Sequence, residues 1–180
     1  MSIGSMITVD CGAFTAVGKT CPVIGRVLLE VDYERSGLLV LQLTEGRKTA
    51  TALFGAAEWA AFAQRIASIK LDIRKLPVAQ VAALPEWLDI VSYSSNRDCI
   101  LTGGGKGRGG GAFATLEVDA AMQAYVCMAF IDGPTEIVAL FGGNEWLAFL
   151  ACWRQLKSHI SALTAGGNFH GFTALTPGTR

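Results

Sequence analysis

Leu29-Glu30-Val31-Asp32 returns, residue for residue, as Leu116-Glu117-Val118-Asp119, 87 positions further along the chain. The same register carries Gly46 onto Gly133, Ala52-Leu53-Phe54-Gly55 onto Ala139-Leu140-Phe141-Gly142, Glu58-Trp59 onto Glu145-Trp146 and Phe62 onto Phe149. Upstream, Gly18-Lys19 falls on Gly105-Lys106. A colinear, ungapped series of this kind is the mark of an internal duplication, and it governs how every other motif is read.

Each copy has the same periodicity. Val27, Leu29, Val31 and Tyr33 alternate with Arg26, Leu28, Glu30 and Asp32, which predicts a strand with one buried face. Residues 38–43 (LLVLQL) and 49–54 (TATALF) flank Glu45-Gly46-Arg47-Lys48 and predict a hairpin. Trp59, Phe62, Ile66 and Ile69 then mark one helical stripe, and Trp146, Phe149, Leu150, Trp153, Leu156 and Ile160 mark its repeat, stopped by Gly166-Gly167. Residues 6–17 and 90–102 supply one more strand each. The expected fold class is therefore α+β, a duplicated ββββα unit forming two antiparallel sheets with pseudo-twofold symmetry, packed with helices. Its expected divisions are a first repeat at about 6–69, a connector at 70–89, a second repeat at about 90–163 and a tail at 164–180. In the connector, Pro77 and Pro85 bracket a predicted helical turn from Val78 to Leu84. The tail carries Phe169, Phe172 and Leu175 and either folds back or frays.

Composition limits the function. The 180 residues carry 15 Lys and Arg against 15 Asp and Glu, so no whole-molecule field attracts a polyanion, and any anion site is a local patch. The hydrophobic share of 51% and charged share of 17% argue for extensive burial, part of it expected between subunits of a homo-oligomer. The start lacks a basic, then apolar, leader pattern, and Cys11, Cys21, Cys99, Cys127 and Cys152 form no C-x-x-C pair. The expectation is a cytoplasmic, non-exported protein with reduced thiols and no membrane association.

Two glycine patterns imitate nucleotide-binding motifs. Gly12 to Thr20 places five residues between its glycines where a P-loop needs four, and it leads into a strand. Gly105-Lys106-Gly107-Arg108-Gly109-Gly110 satisfies G-x-G-x-x-G but also precedes a strand rather than a helix. The two histidines, His159 and His170, form no triad or metal set. Glu30, Asp32, Glu117 and Asp119 are either an acid/base pairing across the repeat or outward polar strand residues. No enzyme activity, catalytic residue, metal or cofactor is expected.

The remaining signal is LTGGGKGRGGG, residues 101–111, with two cations and no acid. Its glycines let backbone amides approach a phosphate, and Lys106 and Arg108 add charge. Lys19, Arg26 and Arg97 complete the expected cationic set, and Tyr33, Tyr93, Phe113 and Tyr125 are stacking candidates or, equally, core residues. A solvated hairpin loop is the other reading of the glycine run.

This layout resembles the Whirly family of single-stranded DNA-binding proteins, and their architectural relatives the mitochondrial guide-RNA-binding and PUR-repeat proteins. Gly105-Lys106-Gly107-Arg108 is the nearest string to that family's Lys-Gly-Lys-Ala-Ala-Leu segment, and it lacks the Ala-Ala-Leu continuation. The resemblance implies single strands lying along the sheets of an oligomer, bound with low sequence specificity, DNA ahead of RNA. The competing class is a pseudo-symmetric protein-interaction or structural oligomer that binds no nucleic acid.

Overall fold

The computed structural model describes residues 5–85 and 99–175. Eight antiparallel strands and two long helices follow in the order β1 (Ser5–Val17), β2 (Pro22–Asp32), β3 (Gly37–Glu45), β4 (Lys48–Phe54), α1 (Ala56–Arg74), β5 (Ile100–Gly104), β6 (Gly109–Val118), β7 (Ala124–Asp132), β8 (Thr135–Phe141) and α2 (Gly143–Ala165). The expectation of an α+β fold with two antiparallel sheets of a duplicated ββββα unit is corrected here. The strands close into one ring, β1 through β8 in chain order, and the architecture is mostly β. Two seams complete the ring. Ala52 and Leu53 of β4 pair with Gly104 and Gly103 of β5, and Val17 of β1 pairs with Leu140 of β8.

Burial alternates along β2, where Val23, Gly25, Val27, Leu29 and Val31 are buried and the residues between them are exposed or half-buried. One apolar cluster unites these with Leu39, Leu41 and Leu43 of β3, Val126, Met128 and Phe130 of β7, and the inward stripes of both helices. Each such side chain contributes about 1.5–3 kcal/mol when fully buried. A second cluster covers the opposite face of the later strands, where Phe113, Tyr125, Cys127 and Leu140 pack beneath Ala82 and Leu84. Helix α1 continues through Arg74, past the expected start of the connector at residue 70.

The segments after the helices are exchanged. The stretch following α1 serves α2: the Ala82 amide donates to the Ala124 carbonyl at the start of β7, and the Gly143 amide in the first turn of α2 donates to the Ala82 carbonyl. The stretch following α2 serves α1 in the same way. Thr173 donates to the Gly37 carbonyl at the start of β3, and Ala56 in the first turn of α1 donates to the Thr173 carbonyl. Leu84 lies where a side chain on Gly142 would project, and Leu175 does so at Gly55. The bonds from Gly143 and Ala56 satisfy first-turn amides that the helices leave unpaired. The expected helical turn over 78–84 is instead irregular: the Gln80 amide bonds back to the Val78 carbonyl, and Ala82 bonds to β7 and α2.

The tail folds back rather than fraying. Phe169 is buried, and Phe172 stacks on Trp59 with ring centroids 4.8 Å apart. We expect Phe169→Ala to lower stability by about 3 kcal/mol in urea unfolding, as for other large-to-small changes in a packed core. A change below about 0.5 kcal/mol would mean that the tail is dispensable.

Candidate nucleic-acid interface

An up-and-down ring of this connectivity sends its β1–β2, β3–β4, β5–β6 and β7–β8 turns to one end of the barrel. Those turns contain Lys19, Arg47, Lys48, Lys106 and Arg108, against Glu45, Asp132 and Glu136. The other end presents the turns after β2 and β6, with Asp32, Glu34 and Asp119 against Arg35. Among the described residues the two sets of turns therefore differ in charge, with cations in excess on the hairpin-turn end.

Lys19 and Lys106, which are repeat mates, stand exposed in corresponding turns. Lys106 holds the left-handed conformation with φ of 57°, followed by Gly107 at 73°, and this tight turn projects the lysine from the glycine run. Arg47 and Lys48 are also exposed. Sequence reading placed these two in a hairpin turn without including them in the site; their signal was that turn's own register with the other turns.

Arg108 is differently engaged. Its guanidinium lies 3.4 Å from the buried Asp132 carboxylate, which also accepts hydrogen bonds from the Gly105 amide at 3.0 Å and the Thr51 amide at 3.1 Å. The amide cradle expected to meet a phosphate thus already holds an internal carboxylate. Close packing also explains two of the glycines: a side chain on Gly104 would meet Asp132, and one on Gly133 would meet the Arg108 stem. Arg26, on the outward face of β2, pairs with Asp10 at 3.1 Å. The Gly12 amide first, and then that guanidinium, hold the Asp10 carboxyl below the usual carboxylate range.

Among the described residues the aromatic candidates do not gather at the hairpin-turn end. Tyr33 is 75% exposed but sits in the β2–β3 turn at the opposite end, while Phe113 and Tyr125 belong to the second apolar cluster. The Tyr125 hydroxyl donates within reach of Gln123 and Asp119, and burial, aided by the Asp119 charge, raises its pKa. Arg97 and Tyr93 lie outside the described residues. Just below the positive end, the exposed apolar surface comes instead from Ile24 on β2 and Leu101 on β5.

Two of the acids considered for catalysis, Asp32 and Asp119, have structural work. Asp32 accepts from the amides of Glu34 and Ser36, and Asp119 accepts from those of Ala121 and Gln123, which closes matching turns. Gly12 lies in a β-bulge of β1 with φ of 112°, not in a phosphate loop. Among the described residues no group of His, Cys, Asp and Glu is placed to hold a metal, and no helix is long and apolar enough to cross a membrane.

All five cysteines are free thiols. Burial, followed by the nearby Asp10 and Cys152, pushes the Cys11 thiol up to about 11. Cys11 therefore stays protonated in the native protein and escapes alkylation at about pH 8, reacting after unfolding; peptide mass mapping checks this. Because the folded state keeps a proton that the unfolded chain releases, this group removes stability as pH rises from the ordinary thiol range to about 11.

The fold and this surface define a closed antiparallel barrel with a cationic turn end. Comparison with protein-family models, curated proteins and solved structures gives no match, so the residues themselves carry the functional reading.

Proposed function

We propose that the protein binds single-stranded nucleic acid, DNA ahead of RNA, along the hairpin-turn end of the barrel with low sequence specificity. The observation that supports this most is the convergence of Lys19, Arg47, Lys48 and Lys106 from three separate turns in a chain without net charge. Phosphates meet these cations, and unpaired bases, which duplexes hide, lie over Ile24 and Leu101. Arg26 and Arg108 serve as scaffold through Asp10 and Asp132, and Tyr33 stands aside. Self-association belongs to the same proposal, with the exposed Leu71, Val78 and Leu147 as its support.

Fluorescence anisotropy with a labelled single strand tests the reading. Four phosphate contacts give a slope of about −3 in log affinity against log salt. Replacing Lys19, Arg47, Lys48 and Lys106 together by Ala is expected to flatten that slope, whereas Tyr33→Ala leaves affinity within about twofold. Absence of binding at low salt would overturn the proposal and favour the protein-interaction scaffold.

A further inference from the structure

We infer that a second binding site, for a small amphipathic anion, lies between the end of α1 and the start of α2. Among the described residues a cavity of about 740 Å³ opens there, within the usual range for small-molecule sites. Ile73, Val81, Trp146 and Leu150 supply its apolar wall, and Lys70 and Arg74 supply its cations. Glu145 also lines it, so the three ionisable side chains leave one positive charge in excess.

The molecule contains its own template for the occupant. The exchanged segments correspond at two positions: Thr173 matches Ala82 by its hydrogen bonds to Gly37 and Ala56, as Ala82 bonds Ala124 and Gly143. Leu175 against Gly55 corresponds to Leu84 against Gly142. This register sets Phe172 opposite Val81. In the first half the Phe172 ring covers the helix start by stacking on Trp59, the repeat mate of Trp146. In the second half the much smaller Val81 stands at that position, Trp146 stacks on Phe149 instead, and Val81 and Trp146 both line the cavity. A flat aromatic or alkyl body fits where the tail places a phenyl ring, and Lys70 and Arg74 select a carboxylate or sulfonate attached to it. The site stands on residues separate from the hairpin-turn cations, so it does not depend on nucleic-acid binding.

The test uses the full chain and 1-anilinonaphthalene-8-sulfonate, with N-phenyl-1-naphthylamine as its uncharged counterpart. Saturable fluorescence enhancement at one site per chain is expected. Val81→Phe, which restores the ring found in the other half, should weaken binding at least about tenfold. The Lys70→Ala, Arg74→Ala double variant should weaken the sulfonate about tenfold while leaving the uncharged probe within about twofold. No saturable binding to the native chain, Val81→Phe binding like the native chain, or equal loss of both probes in the charge variant would each overturn the inference. Circular dichroism verifies folding, and if Val81→Phe does not fold the surface double variant decides.

Discussion

Phe149→Ala should cost about 3–5 kcal/mol in urea unfolding, lowering the midpoint without changing the slope. Phe149 is fully buried, and its ring meets Phe14 at 5.3 Å, Trp146 at 5.4 Å, Trp153 at 5.8 Å and Phe141 at 6.0 Å. It therefore joins β1, β8 and α2 in one contact set. Truncation removes the transfer energy of the ring and leaves a cavity whose walls belong to three elements that cannot all move inward. Phe149→Leu, which keeps most of the volume, is expected to cost under about half as much. Equal effects for the two variants would show that volume is not what Phe149 supplies.

The second large effect is electrostatic. Asp132→Ala removes the acceptor for two backbone amides and leaves the Arg108 guanidinium beside a buried, apolar side chain. Breaking one partner of such a pair costs about 3 kcal/mol, discounted somewhat because Arg108 reaches solvent. Asp132→Asn should recover part of it through its remaining carbonyl oxygen. The repeat mate, Glu45, gives an internal control: it is only half-buried and accepts one long bond, 3.4 Å, from the Thr20 amide. Glu45→Ala is expected to change stability by less than about 1 kcal/mol. Chemical denaturation of the three variants under one set of conditions distinguishes these outcomes.

Local structure was legible where a side-chain period had one physical cause. Val27, Leu29 and Val31 announced a one-sided strand, and Phe62, Ile66 and Ile69 a helix stripe, because burial against a single core selects those spacings. Closure was not legible. The seams consist of Ala52 and Leu53 against Gly104 and Gly103, and Val17 against Leu140, and backbone pairing at such positions leaves no mark on side-chain pattern. That is why two sheets were expected and one ring was found. The glycine run shows the same limit at the site. Its composition suggested amides waiting for an anion, but the anion is Asp132, 27 residues away from Gly105 and brought there by the β6–β7 pairing. Arg47 and Lys48 were overlooked because their neighbours in space come from other turns.

The exchanged segments bear on the order in which the molecule can be made. During synthesis β1 to α1 leave the ribosome first, yet the carbonyl that receives the first-turn amide of α1 belongs to Thr173, and the ring that covers Trp59 belongs to Phe172. Neither exists until about a hundred residues beyond α1 have been made. The first half must wait, with its helix start exposed, for about a hundred residues of further translation, and closure of its loop carries the corresponding entropy. Completion of the first half therefore depends on the second, and a chain stalled before Phe172 would emerge with an open flank for other nascent chains to meet.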